Sequence, residues 1–210
     1  MRTTKPETSS QRYRAIRATY TPTTITVYQA YPPMIAIVAV EAQTFKSPFS
    51  RTRMTWIKPS FLWMAYRSGW ATKQRQERVL AIEITREGFE WALQNSCLSY
   101  WNSKKDHAAL NKEQWQQRLH ASPVRIQWDP ERDFHFRPLD YRSIQIGLGP
   151  DAVEKYTDEW IVSIHDVTDI MHKISQHIQK GDLDAAMRLL PDEKTYELSG
   201  DLSETVYASS

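Results

Sequence analysis

Cysteine is almost missing from this chain: Cys97 stands alone among 210 residues. That excludes a disulfide within the chain and any cysteine-rich metal site. In its setting Cys97 reads as a small buried hydrophobe. Glycine is also scarce, at six, and neither G-x-G-x-x-G nor G-x-x-x-x-G-K occurs. A P-loop NTPase and a standard dinucleotide-binding fold are thereby set aside. There is no His-Glu-x-x-His. His172 and His177 are five apart, which suits one helical face poorly, so no metal is expected. No G-x-S-x-G marks a serine nucleophile. Long apolar runs are lacking too. The longest, Met34 to Val40, falls far short of the ~20 residues that cross a bilayer, and the first residues are polar with no apolar signal core. A cytoplasmic protein without a membrane partner is the expectation.

Aromatic residues, by contrast, are abundant, with eight Trp and ten Tyr in a chain that is 40% hydrophobic. This length and composition suit one soluble domain. The net charge of +2 conceals an asymmetry. Residues 1–86 hold 14 Lys/Arg against 4 Asp/Glu, whereas residues 87–210 hold 13 against 21. A basic first part attracts phosphate-rich partners unless folding interleaves the two signs. Within it, residues 53–70 set three tryptophans and a tyrosine among Arg53, Lys58 and Arg67. Indole faces beside cations suit a flat anionic ligand, a nucleotide cofactor or a nucleic acid strand. The plainer alternative is an amphipathic helix whose cations snorkel at its edges.

The pattern predicts a disordered start over 1–11, one domain over 12–191 and a loose tail over 192–210. Strands are expected at Thr23–Gln29, Arg53–Ile57, Val79–Ile84, Pro123–Trp128, Tyr141–Leu148 and Glu159–Ile164. Arg132–Pro138 reads as a loop or an edge strand, and Asn102–Asp106 as a polar loop. Helices are expected at Met34–Phe45 behind Pro33, from Pro59 to Gly69, at Glu87–Cys97 and at Leu110–His120, with two more after Thr168 and Asp182. Strands mixed with helices, without strict alternation, give an α+β class. Two places remain for chemistry. One is the polar, aromatic strand end Thr26–Tyr31. The other is Glu159, a carboxylate at a strand mouth, suited to charge stabilisation or base work unless it is an ordinary solvated charge.

Three longer motifs, Val27–Tyr31, Arg53–Met64 and Tyr141–Gly147, resemble a bacterial and fungal family known only as a domain of unknown function. More distantly, the layout over residues 20–178 is similar to the ADP-ribosyltransferase fold, most of all to DarT-type DNA ADP-ribosyltransferases. Tyr28-Gln29-Ala30-Tyr31 stands where those proteins carry Tyr-His-x-Thr. Arg53 precedes a Pro-Ser-Phe-Leu-Trp-Met-Ala-Tyr-Arg segment like their Ser-Pro-Met-Leu-Tyr-Arg helix. Thr157-Asp158-Glu159-Trp160-Ile161-Val162 resembles the strand that opens with their catalytic glutamate.

The resemblance implies two small packed β-sheets flanked by helices, with NAD as a substrate and a nucleic acid base, in DNA or RNA, as acceptor. It implies Glu159 and Arg53 as catalytic residues. Tyr28, Gln29, Ala30, Tyr31, Ser60 and Tyr66 would line the nicotinamide end, with Arg17 as the pyrophosphate cation in place of the His or Arg that Gln29 replaces. Trp56, Lys58, Arg67 and Gln145 would meet the acceptor. Thr157, two residues before Glu159, departs from the protein-arginine-modifying pattern. A different expectation needs only the aromatic and basic residues, a non-catalytic module for single-stranded nucleic acid. A third is a plain small-molecule or interaction domain.

Overall fold

The computed structural model of the chain describes residues 12–101 and 111–209. The expected disordered start and the Asn102–Asp106 loop lie outside the described residues. The chain runs β1 (Arg17–Ala18), β2 (Thr24–Tyr31), α1 (Pro33–Ala42), β3 (Thr55–Ile57), α2 (Phe61–Ser68) and β4 (Arg78–Thr85). Next come α3 (Arg86–Gln94), β5 (Ser96–Leu98), α4 (Lys112–Ala121), β6 (Val124–Arg132), β7 (Pro138–Leu148) and α5 (Pro150–Lys155). A π-helical turn (Tyr156–Trp160) leads into β8 (Ile161–Asp166), α6 (Thr168–Gln179), α7 (Leu183–Arg188), β9 (Lys194–Thr195) and α8 (Gly200–Val206). The class is α+β, as composition and pattern suggest.

Two small sheets carry the fold, in the orders β2-β4-β8 and β3-β7-β6-β5, beside a short β1-β9 ribbon. They meet where Tyr28 N–H donates to Lys58 O at 2.7 Å and Lys58 N–H to Tyr28 O at 3.3 Å. Lys58 therefore sits at the seam. Period-two alternation decides which faces meet. Ile57, Val124, Ile126, Trp128, Ile144, Ile146 and Leu148 turn inward and join Ile25, Val27, Leu80, Ile82 and Ile84 in one core. Their neighbours Trp56, Arg125, Gln127, Asp129, Ser143 and Gln145 point from the opposite face, paired Gln127 with Gln145 and Asp129 with Ser143.

Local chemistry explains α2. Ser60 caps it by accepting from Trp63 N–H at 3.1 Å, and Gly69 ends it at φ 61°. Its apolar side, Phe61, Met64 and Ala65, packs with Tyr28 and Val79 in a second core under α6 and α7.

The stretch Arg132–Pro138 is the expected loop, joining the end of β6 at Arg132 to the start of β7 at Pro138. Three expectations need correction. The strand expected from Glu159 begins instead at Ile161, because the helical path of α5 continues through the π-turn and buries Tyr156, Thr157 and Trp160. Cys97 lies in β5, parallel to β6, not in a helix. The tail after Pro191 is not loose: Tyr196 and Val206 belong to the main core, and Val206 O accepts from the Trp128 indole at 2.8 Å. Trp128 needs that partner for its buried N–H, so the closing helix is part of the domain.

Candidate functional site

The polar face of the β3-β7-β6 sheet forms the floor of a cleft of about 640 Å³. The end of β2 supplies Gln29, Ala30 and Tyr31 to its lining, β3 adds Thr55 and Trp56 and is followed by Lys58, and the strands behind add Gln127 and Gln145. Met64 and Arg67 from α2 and residues 74–76 complete the wall. Gly147, level with Trp56 on the neighbouring strand, is needed here. A Cβ at that position would stand 2.9 Å from the Trp56 ring, so only glycine lets the indole lie along the sheet.

Lys58 is 3% exposed. Its Nζ lies 3.2 Å from the Trp63 ring centroid and donates to Gln145 Oε1. The Gln145 amide is itself oriented, since its Nε2 donates to Asp129 Oδ2 at 2.6 Å. Asp129 Oδ1 accepts from Gln127 Nε2 at 3.0 Å. The lysine thus faces an oriented neutral acceptor, with the carboxylate one residue further back. Burial drives its pKa well below the usual lysine value. Asp129 and Glu131 pull it partly back up, and the Arg67 cation pushes it down.

Neighbouring groups are more completely satisfied. Gln29 Nε2 donates to Thr55 Oγ1 at 2.8 Å and Trp56 O at 3.1 Å, and its Oε1 accepts from Tyr156 O–H at 2.9 Å. All of its side-chain atoms therefore serve the fold, although it lines the cleft. The Tyr31 hydroxyl meets Thr55 Oγ1 at 2.9 Å. Arg67 donates to the neutral amide of Gln76 at 3.2 Å.

Of the residues singled out in the sequence, Gln29, Ala30, Tyr31, Trp56, Lys58, Arg67 and Gln145 come together here. The others stand apart. Tyr28 is buried edge-on against Phe61, and Ser60 is spent as a helix cap. Tyr66 packs on Phe136 beneath the Arg132 guanidinium. Arg17 lies over the Tyr141 ring, and Arg53 is exposed just before β3.

Glu159 sits on the π-turn with its side chain 60% exposed, 3.7 Å from Lys155. Strand register separates it from the strand end at Tyr31. Ile161, which follows it closely, is level with Ile84 and hence with Ile25, whereas Gln29 is level with Leu80 and Asp166. Four residues along β2 are roughly 13 Å.

Gln127, Asp129, Thr55 and Arg75 were not singled out in the sequence. The alternation of Val124, Ile126 and Trp128 placed Gln127 and Asp129 together on the other face, and that was the available signal. Among the described residues no three His, Cys, Asp or Glu side chains gather as a metal site, and no helix is long and apolar enough to cross a membrane.

Neither the curated proteins nor the solved structures contain a match to this chain. A family model does match, over residues 15–196, and it covers both sheets and every cleft residue. The chain belongs to the domain of unknown function family DUF4291.

Proposed function

We propose that the Lys58 cleft binds nucleotides of single-stranded nucleic acid. One observation carries this reading: a single concave face joins two guanidinium-bearing residues, Arg67 and Arg75, two aromatic residues, Tyr31 and Trp56, and two glutamines, Gln127 and Gln145. Guanidinium groups match phosphate, aromatic faces suit stacked bases, and amides pair with base edges. The DarT-like reading, NAD-dependent transfer of ADP-ribose, needs Glu159 beside the Gln29–Tyr31 strand end. The opposite placement of those two features along the sheet favours nucleic-acid recognition centred on Lys58.

The test is fluorescence anisotropy with labelled single-stranded DNA and RNA, with duplex DNA and NAD as competitors. Saturable binding to a single strand is expected, weakened at least tenfold in Arg67→Gln and unaltered in Glu159→Gln. Wild-type binding weaker than ~10⁻⁴ M, the weak end of non-specific nucleic-acid affinity, would overturn the reading. NAD that binds alone, and is lost in Glu159→Gln, would return the assignment to ADP-ribosyl transfer.

A further inference from the structure

Lys58 is an unusual residue for the floor of a nucleic-acid cleft. Burying an amine is costly unless it is paired with an opposite charge or loses its own. The nearest polar partner of Nζ is the Gln145 carbonyl oxygen, a neutral acceptor. Asp129 is held off, with both of its oxygens engaged by Gln145 and Gln127. Arg67 shares the cleft, and a cation nearby disfavours a second one. Burial in turn lowers the amine's pKa. A neutral amine is a poor phosphate ligand but a good nucleophile. It donates one N–H to Gln145 and keeps its lone pair.

From this arrangement we propose that Lys58 forms an imine with the aldehyde of a base-less sugar in single-stranded DNA. The proposal rests on the nucleic-acid reading above and names the substrate class for that cleft. The ring-opened deoxyribose left after loss of a base carries a free aldehyde at C1′, an electrophile that an amine attacks without prior activation. The Lys58 Nζ lone pair forms the C–N bond. The aldehyde oxygen and both amine hydrogens leave as one water, giving C=N, and hydrolysis reverses the step. No oxidant, metal or further reactant is required. Arg67 and Arg75 supply the cations for the flanking phosphates. Gln145 is a positioning residue: it holds the amine without supplying a charge that would keep it protonated.

The test uses a single-stranded oligonucleotide with one abasic site, made by removing a uracil, incubated with the full chain and then reduced with borohydride. Reduction converts the imine to a stable secondary amine. A covalent adduct is expected, mapped by peptide mass spectrometry to Lys58, retained in Glu159→Gln and reduced at least tenfold in Lys58→Arg. In Gln145→Glu a full charge beside the amine would hold it protonated, so the adduct should drop at neutral pH and recover as pH rises. An adduct mapped elsewhere, or none while the intact single strand still binds, overturns the imine and leaves the binding reading standing. Failure of the intact strand to bind overturns the reading itself.

Discussion

Glu193 lies where the chain after α7 returns to the start of α2, and its Oε1 accepts from Phe61 N–H at 2.6 Å. Burial pushes this carboxyl up to about 8, with Glu131 adding like charge while Phe61 N–H and Arg17 pull it back down. Glu131 is raised as well, again first by burial. The consequence for stability has a definite sign. The unfolded glutamate gives up its proton near ~4.3, whereas the folded one keeps it until about pH 8. Between those values the folded state binds more protons, so this contribution is full at low pH and is lost as pH rises towards 8. Glu193→Gln retains an oxygen to accept from Phe61 and removes the titration. Thermal melts at about pH 5 and about pH 8.5 should therefore show a smaller fall in Tm for the variant than for the wild type. Parallel falls would show that this carboxyl titrates as an ordinary solvated one.

Between elements, the tightest fit joins α3 to the π-turn. A Cβ on Gly88 would stand 2.3 Å from the Trp160 ring, and that ring packs 5.5 Å from Trp91 and 6.4 Å from Tyr156. With Trp160 hemmed in, Gly88→Ala should destabilise the fold by ~1–3 kcal/mol, in the range for overpacked cores, read as a lower urea midpoint with an unchanged slope. An unchanged midpoint would mean that the indole has room to shift. This packing also shows where sequence reading stopped. Strands β2, β4 and β7 were legible from β-branched and apolar runs, and α2 from Pro59 and Gly69, because those signals are local. Glu159 opens an apolar run that reads as a strand to Ile164, yet Trp160 is locked beneath Gly88, more than seventy residues earlier, and the helical path persists to it. The cleft was half legible for the same reason. Trp56, Lys58 and Arg67 stood out as aromatic and basic residues close together in the chain. Gln127 and Asp129 became part of the site only through pairing of β6 with β7.

At the scale of the whole molecule, the fold cancels part of the charge asymmetry among the described residues. Arg12 pairs with Glu197, Arg51 with Asp158 and Arg78 with Asp166, each joining the basic first part to the acidic remainder. Arg67 instead meets the neutral Gln76 in the wall of the cleft. Its charge is left available to an anionic ligand, and Arg75 is on the same wall. The salt dependence of single-strand binding counts such charges, because each neutralised phosphate releases part of a bound counterion. Two guanidinium contacts predict a log–log slope of about −1.4, and a protonated Lys58 as a third would steepen it to about −2.1. The lowered pKa of Lys58 therefore predicts a slope that is shallower at higher pH and steepens as pH is lowered and Lys58 gains its proton, and Arg67→Gln should make it shallower by about 0.7. Titrating an intact, aldehyde-free strand across salt at two pH values measures the charge on Lys58 independently of any covalent chemistry. A slope already near −2.1 at the higher pH would place a cation on the cleft floor, which supports phosphate binding by Lys58 and removes the basis for its role as a nucleophile.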